Sequence, residues 1–351
     1  MQKLRPTDWY DAFNRAAGDL YPGRYTREYT AQLVDTARRI EELAERKRSL
    51  IVAHNYQFPE LQEVAEEVGD SLGLSQYVAR RPSPRVDFCG VWFMGETAKT
   101  ILGDRARVFM PDRPGCSLVD SIDHARVLRW KQTCPDGIVI SYVNTDAATK
   151  AISDYICTSR NAAQVMDHAA VQNPGKRILF LPDKFLGSVS ISQSNAVDPS
   201  LVDLYDGFCH VHAKIGETAL EDAFDRHPDA ELLIHPECGC ASHCMARVMQ
   251  GSSPYQKAFF LSTEGMIHHA AKSGAKEFIV GTEMGMVYRL RREMPEKRFY
   301  PVSPEAVCEF MKMNTLEKLL DSLERDRIEV TLEPEIARKA QHAIDRMLSI
   351  Q

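Results

Sequence analysis

Short apolar runs alternate with amphipathic stretches along almost the whole chain. Eight runs have strand length: Leu50–His54, Val86–Phe93, Val108–Pro111, Ile138–Tyr142, Ile178–Pro182, Leu232–His235, Phe278–Gly281 and Arg298–Val302. They are nearly continuous in apolar residues rather than alternating, which is the pattern of strands covered on both faces. Strands separated by helical stretches predict βαβ units and parallel sheets, an α/β fold. The first 48 residues read as helix, with Leu33, Ala37, Ile40 and Leu43 on one face of Tyr29–Arg48. Pro334–Ile350 reads as another amphipathic helix. No low-complexity linker interrupts the chain, so its modules are expected to pack tightly.

Composition narrows the class. The 351 residues are 44% hydrophobic and 26% charged, ordinary for a globular protein, and the length allows two or three domains. A net charge of −6 gives no electrostatic case for nucleic acid or an anionic membrane as partner. A small anionic substrate stays compatible, because it needs only a local site. The start, MQKLRPTDWYDAFNRAAGDLY, is mixed polar and unlike a secretion signal, and no run approaches the apolar length of a membrane span. A cytoplasmic protein is expected.

Nine cysteines stand at 89, 116, 134, 157, 209, 238, 240, 244 and 308. An odd number in a long chain without an export signal argues against a disulfide framework. Cys238, Cys240 and Cys244, with His235 and His243 nearby, look most like a local metal site, but their spacing departs from the common structural-zinc patterns. Cys116, Cys209 and Cys308 have no close cysteine partner. They lie 93 and 99 positions apart, about one small α/β module each, which raises the idea of three similar modules presenting one cysteine apiece.

In parallel sheets, ligands bind beyond the carboxyl ends of the strands. Three of the predicted strands run into His54-Asn55-Tyr56, Tyr142-Val143-Asn144 and His235-Pro236-Glu237, all rich in acid/base and hydrogen-bonding groups. Each could equally be a polar loop residue; three in one chain are harder to dismiss. Ser71, Thr158-Ser159 and Ser262-Thr263 stand at predicted helix starts. Free amides there favour carboxylate or phosphate, although simple capping is the commoner use of serine and threonine.

Longer motifs then carry a resemblance. IVAHNYQ-x-PELQ, VGDSL, FMGETAK, SYVNTDAATKAISDYICTS, LPDKFLG, CHVH, HPEC, STEGM, GTEMG and CEFMKMNTLEKL occur in collinear order over residues 49–320. Together they resemble the quinolinate synthase family. The resemblance implies three similar αβα modules with short parallel sheets, arranged with pseudo-threefold symmetry around one [4Fe–4S] cluster per chain. The modules would be 49–119 with the C-terminal helices 310–351, then 120–211, then 212–309, behind an N-terminal helical extension 1–48. The cluster ligands would be Cys116, Cys209 and Cys308, leaving one iron without a protein ligand. The implied reaction condenses iminoaspartate with dihydroxyacetone phosphate to quinolinate, phosphate and water, in NAD biosynthesis. Ser71, Ser159 and Thr263 would hold carboxylate or phosphate oxygens. His54, Tyr142, Val143, Asn144, His235, Pro236 and Glu237 would complete the substrate site. Glu237, Tyr56 and His212 are the candidates for catalysis, although His212 could equally brace the cysteine loop.

Two other readings compete. An electron-transfer or redox-sensing iron–sulfur protein would need none of the strand-end His, Tyr and Glu. A zinc-stabilised binding module would use Cys238, Cys240 and Cys244. Because iminoaspartate is labile, transient contact with L-aspartate oxidase is an alternative to uptake from solution. Cys89, Cys134 and Cys157 are expected to be structural.

Overall fold

In the computed structural model, which describes residues 3–239, 241–249 and 255–350, the strands form three sheets of four parallel strands each. The first holds β1 (Ser49–His54), β2 (Glu67–Gly69), β3 (Arg85–Cys89) and β4 (Arg107–Phe109), in the order β2-β1-β3-β4. The second holds β5 (Ile138–Tyr142), β6 (Tyr155–Cys157), β7 (Ile178–Leu181) and β8 (Val202–Leu204), in the order β6-β5-β7-β8. The third holds β9 (Glu231–Ile234), β10 (Ala258–Phe260), β11 (Glu277–Gly281) and β12 (Arg298–Pro301), in the order β10-β9-β11-β12. The same order three times, with helices between the strands, makes three similar αβα modules. Val52 stands opposite Phe88, Ile140 opposite Phe180 and Leu232 opposite Ile279, so each central pair brings apolar side chains together.

The apolar runs located the central strands because those are buried along their whole length, as in β3 and β5. One run needs correction. Val86–Phe93 is a strand only to Cys89; the helix Trp92–Leu102 begins within it. The break is at Gly90, where a Cβ would meet Met94 Sδ at 2.9 Å and the Phe88 ring at 3.0 Å. The strands β2, β6, β8 and β10 escape the hydrophobic pattern. Each has three residues and lies at a sheet edge, too short to show a period.

The first 48 residues are not one continuous helix. They form Trp9–Ala17 and Arg27–Lys47, joined through a turn in which Gly23 has φ 75°. Thr26 caps the second helix by accepting from the Tyr29 N–H, and Leu33, Ala37, Ile40 and Leu43 are buried as its periodicity requires. Trp9 and Phe13 enter the core beside Tyr25 and Tyr288. The last helix, Pro334–Ser349, packs on the helix Ala147–Ala151 and on β6, and also on Trp92–Leu102. Among the described residues no helix is long and apolar enough to cross a membrane.

Candidate active site

Because all strands of a sheet run parallel, their carboxyl ends share one side, and corresponding loops of the three sheets meet around one cavity. The first strand of each sheet leads to His54, Tyr142 and His235. The second leads, through a short turn, to Ser71, Ser159 and Thr263. The fourth leads to Cys116, Cys209 and Cys308, each immediately before a one-turn helix. All nine line the cavity, as do Tyr56, Val143, Asn144, His212 and Glu237. Pro236 does not; it lines a neighbouring pocket that shares Ser159.

The three cysteines are half-buried free thiols. Burial, and then the nearby Cys209 and Cys308 sulfurs, push the Cys116 thiol well above its ordinary range. Burial pushes Cys308 up to about 12, with Cys209 contributing. Three thiols converging on one cavity form a donor set suited to a thiophilic metal or cluster. Among the described residues, ligand-type atoms of Cys209, His212 and Glu237 also lie within 4.8 Å of one another. His212 and Glu237, however, already serve each other: His212 Nδ1 lies 3.3 Å from Glu237 Oε2. Cys238 is buried and its thiol donates to the Gly281 carbonyl at 3.2 Å. Cys240 lies outside the described residues, as does the side chain of His243.

Glu237 is the hub of the polar wall. Tyr142 donates its hydroxyl to Oε1, and His235 Nδ1 lies 3.6 Å from the same oxygen. Burial would raise the Glu237 carboxyl, but the His212 imidazole, with the hydrogen bond from Tyr142, outweighs it and holds the group below the usual carboxylate range. His212 is also held in place from its other nitrogen, with Nε2 3.1 Å from Thr282 Oγ1 and 3.4 Å from the Tyr56 hydroxyl. Tyr56 and Thr282 share a 2.6 Å hydrogen bond. Burial pushes His54 down to about 3 and His235 down to about 4, so both imidazoles are neutral. Each accepts on Nδ1 from the backbone N–H two residues on, at 3.2 Å from Tyr56 and 3.4 Å from Glu237.

At two of the helix starts a neighbouring side chain does the capping, while the Ser159 hydroxyl lies 3.1 Å from His235 Nε2. Asp70, not Ser71, caps Ser71–Arg80 by accepting from the Gly73 N–H at 2.6 Å. Ser262, not Thr263, caps Thr263–Lys272. Capping by the preceding residue frees the next hydroxyl for a ligand. Asn144 Oδ1 is buried without a hydrogen-bond partner among the described residues. Such an acceptor costs about 1–3 kcal/mol unless a ligand donor meets it.

Sequence reasoning passed over Asp183 and Glu283. Both sit two residues past the end of the third strand of their sheet, and both are fully buried. Glu283 accepts the Cys308 N–H at 3.3 Å and lines the cavity. Burial, with the Glu237 charge nearby, raises Asp183 well above the carboxylate range. Their common place in LPDKFLG and GTEMG was the signal available.

Comparison with known proteins gives a family match over most of the chain. A family model described as NadA, Quinolinate synthetase A protein, matches residues 38–349. A quinolinate synthase of Thermus thermophilus is 45% identical over 317 residues, covering 90% of this chain and 97% of that protein. That of Pyrobaculum aerophilum is 43% identical over 307 residues, covering 87% and 96%. That of Mycobacterium tuberculosis is 42% identical over 315 residues, covering 90% and 88%.

Proposed function

The chain belongs to the quinolinate synthase family, and from that premise we propose that it joins iminoaspartate to dihydroxyacetone phosphate, using a [4Fe–4S] cluster held by Cys116, Cys209 and Cys308. It is an enzyme of NAD biosynthesis by its family. The observation that carries the finer reading is the cavity that three equivalent cysteine loops share with the Tyr56, His212 and Glu237 network. The module boundaries proposed from sequence, 49–119, 120–211 and 212–309, are supported by the sheets, since each range contains one.

The overall chemistry balances when one phosphate and two waters leave for each quinolinate formed. When bound, the cluster supplies a Lewis acid at the iron without a protein ligand, assisting loss of hydroxide from carbon. The protein's own groups do the rest. Ser71, Ser159 and Thr263 present hydroxyls to the carboxylates and phosphate, and Ser71 and Thr263 do so from the first positions of their helices. Neutral His54 and His235 orient these groups without competing for their charge. Glu237, a buried carboxylate, takes the proton that must leave carbon for the enol to form, and Tyr142 and His212 hold its two oxygens. Tyr56, linked to His212 and Thr282, returns a proton to a departing oxygen.

Anaerobic purification tests the reading. About four irons and four sulfides per chain are expected, lost in Cys116→Ser, Cys209→Ser and Cys308→Ser and kept in Cys134→Ser. One zinc without sulfide, or no quinolinate from the two substrates, would overturn it.

A further inference from the structure

Behind Thr263 the hydrogen bonds run in one direction. Arg289, on the helix Gly285–Glu293, donates from Nη1 to Asn55 Oδ1 and, at 2.7 Å, to Glu264 Oε1. Its Nε donates to Glu293 Oε1 at 3.0 Å. A guanidinium has donors only, so the Asn55 amide oxygen must face it and the amide nitrogen must face away. That nitrogen donates to Thr263 Oγ1 at 2.7 Å. The Thr263 oxygen is therefore an acceptor on its protein side. Among the described residues nothing accepts its proton, and the hydroxyl lines the cavity.

We propose that Arg289 and Asn55 are positioning residues that fix the Thr263 hydroxyl as a hydrogen-bond donor toward an anionic group of the substrate. The inference rests on the reading that Thr263 contacts substrate. Neither Arg289 nor Asn55 lines the cavity, and both are buried, at 6% and 0% exposure. Two carboxylates hold the guanidinium, so it cannot swing into the site to bind the anion itself. Asn55 is held as firmly: its N–H donates to the Gly69 carbonyl at 3.1 Å, and its carbonyl accepts from Gln62 Nε2 at 3.0 Å. The relay joins the loop after β1 to the helix after β10, so the direction of one hydroxyl depends on two modules being docked. An anion needs donors; a hydroxyl free to turn would present its lone pairs part of the time.

Asn55→Asp reverses the polarity without changing the size. One aspartate oxygen still faces Arg289, but the other can only accept, so the Thr263 proton turns back toward it. KM for one of the two substrates, iminoaspartate or dihydroxyacetone phosphate, is expected to rise about 10- to 100-fold, the loss of one hydrogen bond to a charged group. The kcat and the visible absorbance of the cluster should be little changed. Thr263→Ala should raise the same KM by a similar factor, and the double variant should match Thr263→Ala alone. Thr263→Ala at the wild-type KM would sink the underlying reading and the inference with it. An impaired Thr263→Ala beside an unaffected Asn55→Asp would overturn the polarity inference alone. A double variant worse than Thr263→Ala by the full Asn55→Asp factor would overturn it too, because added negative charge would then explain the loss. If Asn55→Asp does not fold, Arg289→Met, which frees the amide to turn, carries the same expectation and the same refutation.

Discussion

The Nζ of Lys312 lies 2.9 Å from Oε1 of Glu283, whose side chain is fully buried while that of Lys312 is 9% exposed. The pair ties separate parts of the molecule to the cavity. Lys312 also donates to the Tyr56 carbonyl at 2.5 Å and sits over the Tyr21 and Phe58 rings, while Glu283 accepts from the Cys308 and Gly285 N–H groups. Burial opposes the Lys312 charge, but Glu283 outweighs it and keeps the ammonium.

Lys312→Met should therefore leave a buried carboxylate without its cation. The expected loss is about 3–5 kcal/mol, read as a lower thermal midpoint. Adding Glu283→Gln removes the stranded charge and should recover part of the loss. A double variant no better than Lys312→Met would show that the two groups are not coupled.

Glu237→Gln keeps the shape of the hub and removes its charge. The amide can still meet Tyr142 and His212, so iron content and absorbance should stay at wild-type levels. Turnover should fall by at least about 100-fold, the scale of a positioned general base. Retained activity would remove Glu237 from the proton-transfer role.

How far the site could be read from the sequence depended on distance along the chain. His54, Tyr142 and His235 were legible because a parallel sheet puts its strand ends on one side, and a short apolar run marks where a strand stops. The edge strands β2, β6, β8 and β10 were not, since three residues show no period. Asp183 and Glu283 look like ordinary acids near helix starts. Only folding brings Cys308 to Glu283, 25 positions away, and Lys312 to Tyr56, 256 positions away. The sequence marks the N-terminal helices only as an extension, because the side chains they cover, Glu60 and Glu63, give no sign in sequence of being buried.

Those two glutamates give the extension a measurable weight. Arg24 pairs with Glu60 Oε1 at 2.5 Å, the Tyr25 hydroxyl donates to Oε2 at 2.8 Å, and the Leu4 N–H donates to Glu63 Oε2 at 2.8 Å. Glu60 is 1% exposed. Arg24→Met should cost several kcal/mol, because the carboxylate stays buried with one hydroxyl donor in place of a cation. Adding Glu60→Gln should restore much of the thermal midpoint. An Arg24→Met midpoint equal to wild type would show that the extension contributes no charge compensation.

The last prediction concerns acid. Asp326 ends the helix Leu316–Arg325 in a left-handed conformation, φ 52°, and accepts from Lys47 Nζ at 2.6 Å and from Arg85 Nη1. The hydrogen bond from Lys47 leads in lowering its carboxyl to about 2, against the opposing effect of burial, with Arg85 adding to the fall. A folded value below the unfolded one near 3.8 means that the unfolded chain binds the proton first as pH falls. The stabilisation is therefore fully present above about pH 4 and is lost between there and pH 2. The side chain is 35% exposed, so screening keeps the gain at about 1 kcal/mol or less. Asp326→Asn keeps the size and tolerates the left-handed backbone. Its thermal midpoint should lie below that of the wild type near neutrality, and the gap should close as pH falls below about 4. A gap independent of pH across that range would mean that the carboxylate charge contributes nothing to the link between Lys47, Arg85 and the end of this helix.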